Sequence, residues 1–333
     1  MRPARWNTVI GIVLATLLSL PAWGADSNND RRTAMPGTLN YVEGQASIGD
    51  QNLDTKSVGQ AELQNGQVLS TGNGKAEILL TPGVYLRLGS DSAVKMVSTS
   101  LTNTQVAVDQ GEAMLEVDQI YKENYIHVDQ AGADTRVEKT GLYDFDAKDN
   151  QIRVFDGKAV VDANDHNTTV KGGHEVNLDQ DGKLKSHGFK KSEIRQDDDL
   201  YRWSSLRSEY LSEANVDAAQ MYYANGVWGP GWIGPGWYWD PWFAGFTFLP
   251  GDGFFYNPFG WGFYSPIMVY RAPFFFGRGY YHHFDGGRPV AIGRGFRGHA
   301  VRSFNGARAG GFHTGSMGGF HGGGGFHGGG VHR

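Results

Sequence analysis

The stretch Gly66-Gln-Val-Leu-Ser-Thr-Gly-Asn-Gly-Lys-Ala-Glu-Ile-Leu-Leu-Thr-Pro-Gly-Val-Tyr-Leu-Arg-Leu-Gly-Ser-Asp-Ser92, followed by Ala93-Val-Lys-Met-Val97, decides the fold. Within it Val84, Leu86 and Leu88 alternate with Tyr85 and Arg87, the period-two pattern of a strand with one face on a core. Around that strand Thr71-Gly-Asn-Gly74, Thr81-Pro-Gly83 and Gly89-Ser-Asp91 supply residues that tolerate positive φ, as tight connections between strands require. The chain therefore reverses about every ten residues.

The same rhythm extends in both directions. Strands are expected at 38–42, 45–48, 76–80, 84–88, 93–97, 105–108, 113–117, 125–128, 135–138, 142–145, 152–155, 158–161, 168–170 and 175–178. Turns are expected at Asp109-Gln-Gly111, Asp156-Gly157, Lys171-Gly-Gly173 and Asp181-Gly182. So many short strands without an intervening helical period predict an all-β domain over 37–190, β-solenoid-like or β-sandwich-like, and periodicity does not choose between these.

The order of parts in 66–97 is a Gly turn, a Thr-Gly step, an apolar strand, a second Gly turn, a Leu-Arg-Leu strand and a Ser before another short strand. This order resembles the FecR domain. The resemblance continues through Gln110-Gly-Glu-Ala-Met-Leu-Glu-Val117 and Lys139-Thr-Gly-Leu-Tyr-Asp-Phe145 to Val154-Phe-Asp-Gly-Lys-Ala-Val160, roughly a third of the chain. It implies stacked short strands, with the solenoid-like form favoured. It also implies kinship with an inner-membrane regulator whose periplasmic part senses an outer-membrane transporter and relays a signal to a cytoplasmic sigma factor. This chain departs from that plan, with no cytoplasmic segment before its apolar core and no retained span expected, so only the extracytoplasmic module's role in protein binding carries over.

Composition divides the 333 residues sharply. Residues 25–219 hold 20 Lys and Arg against 32 Asp and Glu, whereas 220–333 hold 8 Arg against 3 Asp and contain neither Lys nor Glu. An acidic β domain thus precedes a basic, aromatic and Gly-rich part, and the two could attract each other or serve different partners. Arg2 and Arg5 precede an apolar run at 9–20, and Ala22 and Gly24 stand at −3 and −1 of a cleavage site. Residues 1–24 read as a secretory signal peptide, since a spanning helix needs about 20 apolar residues. Export to the periplasm or cell surface follows. Without Cys there is no disulfide framework, so a large sheet must hold the exported domain together.

Residues 25–36 read as a disordered lead-in. Asp197-Asp-Asp199 caps an amphipathic helix at 197–225, with Leu200, Trp203, Leu206, Tyr210, Ala214, Ala218 and Met221 near one face and Asn225-Gly226 as its stop. That face should pack on the β core. Residues 226–285 are rich in aromatic residues, Gly and Pro, and such a surface must be covered by the β domain, another copy or an envelope surface. Residues 286–333 form an Arg/Gly/His-rich tail read as disordered.

Candidate chemistry is sparse. His282, His283, His299, His313, His321, His327 and His332 are spaced irregularly and have nothing to orient them, so no metal site is assigned. Gly293-Arg-Gly-Phe-Arg-Gly298 matches a dinucleotide fingerprint without the helix and acidic residue it needs. Asp179-Gln-Asp-Gly182 and Asp162-Ala-Asn-Asp165 lack the full calcium loop and read as turns. Arg87, Lys95 and 89–92 are candidate surface elements. Trp228, Trp232, Trp237, Trp239 and Trp242 could stack on sugar rings, although internal packing explains them equally. The reading is a non-enzymatic protein- or envelope-binding scaffold in cell-surface signalling or envelope assembly, without cofactor or nucleic acid. Carbohydrate or peptidoglycan binding is the alternative, and self-association or weak metal binding by the tail is a further option.

Overall fold

In the computed structural model of the chain, the residues described are 33–163, 165–178, 184–224, 234–271, 280–285 and 288–293. The expected signal peptide, most of the expected lead-in, Trp228, Trp232, the expected Asp181-Gly182 turn, the expected Asn225-Gly226 stop and the tail beyond 293 lie outside them.

Fifteen strands form one mixed sheet. They are β1 (Leu39–Ile48), β2 (Gln51–Asn52), β3 (Val68–Leu79), β4 (Val84–Leu88), β5 (Ala93–Ser100), β6 (Asn103–Gln110), β7 (Glu112–Val117), β8 (Tyr125–Gln130), β9 (Ala133–Val137), β10 (Gly141–Asp146), β11 (Gln151–Asp156), β12 (Lys158–Ala163), β13 (His166–Lys171), β14 (His174–Asn177) and β15 (His187–Gly188). Every expected strand is present, except that 38–42 and 45–48 run together as the single strand β1. The expected turn at Thr71-Gly-Asn-Gly74 is not a turn but the middle of β3. Gly74 lies opposite Gly44 on β1 at an irregularity of register, and a Cβ on Gly44 would lie 2.2 Å from the Asn73 carbonyl oxygen. Glycine there marks a close approach of two backbones inside a sheet.

β3 is the fold's hinge. One edge pairs with β1 throughout, while the other pairs with β5 through Val68–Ser70 and with β4 through Ala76–Leu79. From this shared strand one half runs β3-β5-β6-β8-β9-β12-β13 and the other β3-β4-β7-β10-β11-β14-β15. All neighbours are antiparallel except β6 and β8. Leu69, Val94, Val106, Val128 and Val161 of the first half share one buried cluster with Ile78, Leu86, Leu115, Phe145 and Val154 of the second. The two halves therefore face each other, and the open choice falls to the sandwich-like arrangement rather than stacked solenoid coils.

The halves differ on their outer faces. In the first, burial alternates along every central strand, as in Ile126, Val128 and Gln130 against Tyr125, His127 and Asp129. This is the one-sided pattern of a sheet open to water. In the second, all five residues of β4 are buried, because its outer face is covered too.

The cover comes from helices α1 (Lys191–Asp197) and α2 (Asp199–Ala224) and from two hairpins. The hairpins pair β16 (Gly236–Asp240) with β17 (Gly245–Leu249) and β18 (Phe254–Tyr256) with β19 (Gly262–Tyr264). A short helix, α3 (Pro266–Arg271), follows, and β20 (Tyr280–Asp285) pairs with β21 (Arg288–Gly293). The aromatic segment is thus built largely of hairpins, and of the covers its composition allowed, the β domain is the one observed. No helix among the described residues is long and apolar enough to cross a membrane.

The expected apolar stripe of α2 is corrected by the structure. Leu200, Ala214 and Ala218 of that stripe are buried, but Leu206, Tyr210 and Met221 are exposed, and the buried face takes in Ser204, Arg207, Ser208, Leu211, Asn215 and Ala219 as well. The helical period is the one expected, but the helix buries a polar stripe because the sheet face beneath it is charged.

Candidate functional site

That charged face follows from register. Across the second half, Glu77, Arg87, Met114, Asp144, Arg153, Glu175 and His187 are successive cross-strand partners. Opposite charges thus alternate along one row, broken only by Met114, and opposite charges in facing positions attract.

Arg87 lies at the centre, with no exposed surface. The sequence reading made it a surface residue, and the structure overturns this. Its Nε donates to Glu77 Oε2 at 2.7 Å and its Nη1 to Glu116 Oε2. From α2, Arg207 Nη2 donates to Glu77 Oε1 at 2.9 Å, and Ser208 Oγ donates to Glu116 Oε1 at 2.8 Å. The Arg207 guanidinium also lies over the rings of Tyr41, at 4.1 Å, and Phe243, at 4.9 Å. Burial alone would raise the Glu77 carboxyl, but Arg207 and Arg87 together hold it down at about 2. Asp118, beside Glu116, goes the other way. Burial and the neighbouring Glu116 push it well above the usual carboxylate range.

The hairpins dock on the same network. Asn40 on β1 donates to Glu77 Oε1 and to the Phe246 carbonyl, and accepts from the Phe246 amide at 2.7 Å. Asn257 donates to Glu116 Oε1 at 2.6 Å and accepts from the amides of Phe259 and Trp261. From α2, Asn215 donates to the carbonyls of Phe248 and Tyr264 and accepts from the Tyr264 amide at 2.8 Å. Three asparagines thus satisfy backbone groups that hairpins this short would leave unpaired, as burial demands.

A second group of acids sits at the start of α2. Glu112, Asp144 and Asp198 each place an oxygen within 4.8 Å of the others. Burial first, then Asp144 and Asp198, push Glu112 up to about 10, while burial, opposed by Arg153, brings Asp144 to about 7. No position in the sequence announces this group, since its members come from β7, β10 and the α1–α2 junction.

The tryptophans divide. Trp237 packs against Tyr85, with ring centroids 4.9 Å apart, and Trp239 against Phe246 at 5.1 Å, so both are partly covered. Trp242, on the turn between β16 and β17, is 85% exposed. His282 and His283 fall in β20, and the other tail histidines lie outside the described residues. Lys95 is exposed, as expected, whereas Ser92 is buried. A shallow polar depression of 470 Å³ is lined by Gln51, Lys56, Ser57, Glu62 and Gln67.

On the open half the registers align Lys95, Ala107, Asp129, Asp134 and Asp162. Three aspartates therefore stand side by side on neighbouring strands. His127 Nδ1 lies 2.8 Å from Asp134 Oδ1, and Gln105 Nε2 donates to Asp129 Oδ2 at 2.8 Å.

Residues 67–160 match the model of the FecR protein family. Two crystal structures of candidate anti-sigma factors from Parabacteroides distasonis ATCC 8503 align with the chain. One is 18% identical over 38% of this chain and 62% of its own, with a TM-score of 0.33, so less than two thirds of that protein is spanned. The other is 14% identical over 68% of this chain and 98% of its own, with a TM-score of 0.33. No curated relative matches. Glu77, Arg87, Glu116 and Asp144 lie inside the matched segment, whereas Arg207, Ser208, Asn215 and Asn257 come from beyond it; the segment that matches the FecR model thus has a helix and aromatic hairpins clamped over one of its faces.

Proposed function

We propose that this chain is a non-catalytic regulatory module, acting outside the cytoplasm, that binds a protein partner of the cell envelope through the open face of its sheet. One observation carries the reading: β4, β7 and β10 at the centre of the second half are covered on both sides, while the outer face of β5, β6, β8, β9 and β12 is left to water. The FecR match supports a regulatory role. Asp129, Asp134 and Asp162 side by side cost stability, because like charges on facing strands repel. A row of that kind favours a partner segment rich in Lys or Arg.

The test is cross-linking of the purified chain to native envelope extract, beside the triple variant Asp129→Asn, Asp134→Asn, Asp162→Asn. The variant should capture the specific partner at least about tenfold less well while unfolding at equal or higher urea. Equal capture by both proteins would remove the open face as the binding surface.

A further inference from the structure

We propose that Glu112, Asp144 and Asp198 form a calcium site that fastens the start of α2 to the sheet. This site is separate from the open face. Asp144 lies opposite Met114 and Asp146 opposite Glu112, so Glu112 and Asp144 project from adjacent strands on the same covered side. Asp198 reaches them from the junction of α1 and α2, where one of its oxygens also accepts the Tyr201 amide at 2.9 Å.

Clustering alone is weak ground for a site, and a second observation supplies direction. Asp144 is completely buried, and Arg153 Nη1 donates to its Oδ2 at 2.7 Å. Its Oδ1 accepts no hydrogen bond among the described residues. A buried carboxylate oxygen left without a donor is rare, and each such case calls for a compensating group. Arg153 cannot supply it, being shared with Asp146 and Glu175 as well. An oxygen left without a donor among three close carboxyls therefore points to a cation placed among them.

The tolerance of the shell selects the ion. Three carboxylate oxygens within 4.8 Å of one another can share one hard cation. Calcium takes six to eight oxygens in flexible geometry, whereas magnesium demands a near-ideal octahedron and gives up its water reluctantly. Glu112 and Asp198 are only partly buried, so water has access to complete the six to eight positions that calcium takes. Three carboxylates beside one arginine predict modest affinity, with Kd of about 10⁻⁴–10⁻³ M.

The experiment is thermal unfolding of the chelator-stripped full chain against calcium, with magnesium in parallel, for the wild type, Glu112→Gln and Asp198→Asn. Asparagine keeps the helix cap, so the second variant retains its fold. Calcium at about 100 times Kd should raise the wild-type Tm by about 5–10 °C and leave both variants nearly unmoved. Terbium luminescence excited through tyrosine should appear with the wild type and fall at least about tenfold with Glu112→Gln. An unmoved wild-type Tm with no terbium signal would overturn the proposal, leaving a shared proton as the compensating group. An equal calcium shift in all three proteins would place the ion elsewhere, and an equal shift with magnesium would refute the choice of calcium.

Discussion

Replacing Arg207 by Met tests whether the charged row clamps α2 to the sheet. Arg207 Nη2 donates to Glu77 Oε1 at 2.9 Å, and both side chains are almost wholly buried. Arg207 and Arg87 hold Glu77 at about 2, against 4.5 for an ordinary Glu. At about 1.4 kcal/mol per pH unit, the difference contributes about 3 kcal/mol of stability at neutral pH. Because the folded pKa is depressed, this contribution is complete above pH 4.5 and is lost as pH falls toward 2. Removing Arg207 withdraws the larger of the two attractions and leaves a buried carboxylate with Arg87 alone, and breaking a buried pair in this way should make the variant about 3 kcal/mol less stable at pH 7. The deficit should shrink as pH falls from about 4.5 toward 2, to about half by pH 3, and only where Glu77 is protonated in both proteins is the packing that Met fails to restore all that is left. Urea unfolding at pH 7, 5 and 3 measures the difference directly. A deficit below about 1 kcal/mol at pH 7, or one unchanged across that range, would falsify the assignment of Glu77 as a buried ion held by α2.

Asn215→Ala removes three hydrogen bonds to the backbones of β17 and β19, and should cost about 2–4 kcal/mol with a red shift of tryptophan emission; an unshifted spectrum would mean that the hairpins dock by aromatic packing alone. Gly157→Ala sets a Cβ 2.3 Å from the Tyr143 hydroxyl at a φ of +99°, so a loss of about 1–3 kcal/mol is expected in urea. Burial, followed by Glu209 and Asp217, raises Glu213 to about 7, against 4.5 for an ordinary Glu. A raised carboxyl leaves stability intact below pH 4.5 and erodes it as pH climbs through 7, so Glu213→Gln should stabilise the chain at pH 8 and leave it unchanged at pH 4; the reverse order would contradict the assignment. Trp242→Ala, at an 85% exposed position, should move stability by no more than about 0.5 kcal/mol; measuring its binding to insoluble cell-wall glycan, beside Trp237→Ala, isolates any sugar contact from packing.

The sheet was legible because its signals are local. Alternation and turn chemistry located every strand of the large sheet except the two-residue β2 and β15, and β4 was placed to the residue at Val84–Leu88. What alternation could not carry was the state of the second face. Tyr85 and Arg87 read as the polar side of a half-buried strand, yet both are buried, because cover arrives from residues more than a hundred positions later. The same distance hid the face of α2. Ser204, Arg207, Ser208 and Asn215 carry no apolar signal, and they are buried only because Glu77 and Glu116 await them. The acidic group at Glu112 was equally invisible, since Asp144 and Asp198 reach it through pairing and docking rather than spacing. The aromatic segment was half legible: its composition required a cover, but its hairpins depend on hydrogen bonds from Asn40, Asn215 and Asn257, which composition does not show.

A covered face built on charge has a different consequence from one built on apolar side chains. An apolar helix could slide along an apolar sheet by one turn, about 5.4 Å, and still bury much the same area. Here the two carboxylates stand on β3 and β7, both tied to Arg87 between them, and α2 answers each with one residue, Arg207 for Glu77 and Ser208 for Glu116. A shift of one turn would withdraw both donors at once and strand buried carboxylates, at a cost of several kcal/mol for an ion left without its partner. The position of α2 is therefore fixed by pairing rather than by area. Because Asn257 shares Glu116, and Asn40 shares Glu77 while gripping the Phe246 backbone, the hairpins inherit the same register. Sheet, helix and hairpins should then open as one cooperative unit, with the amides of Phe246 and Phe248 exchanging as slowly as those at the centre of β4. In Arg207→Met the hairpin amides should lose protection before the β4 amides do, and simultaneous loss would show that aromatic packing, not the charged row, keeps the cover in place.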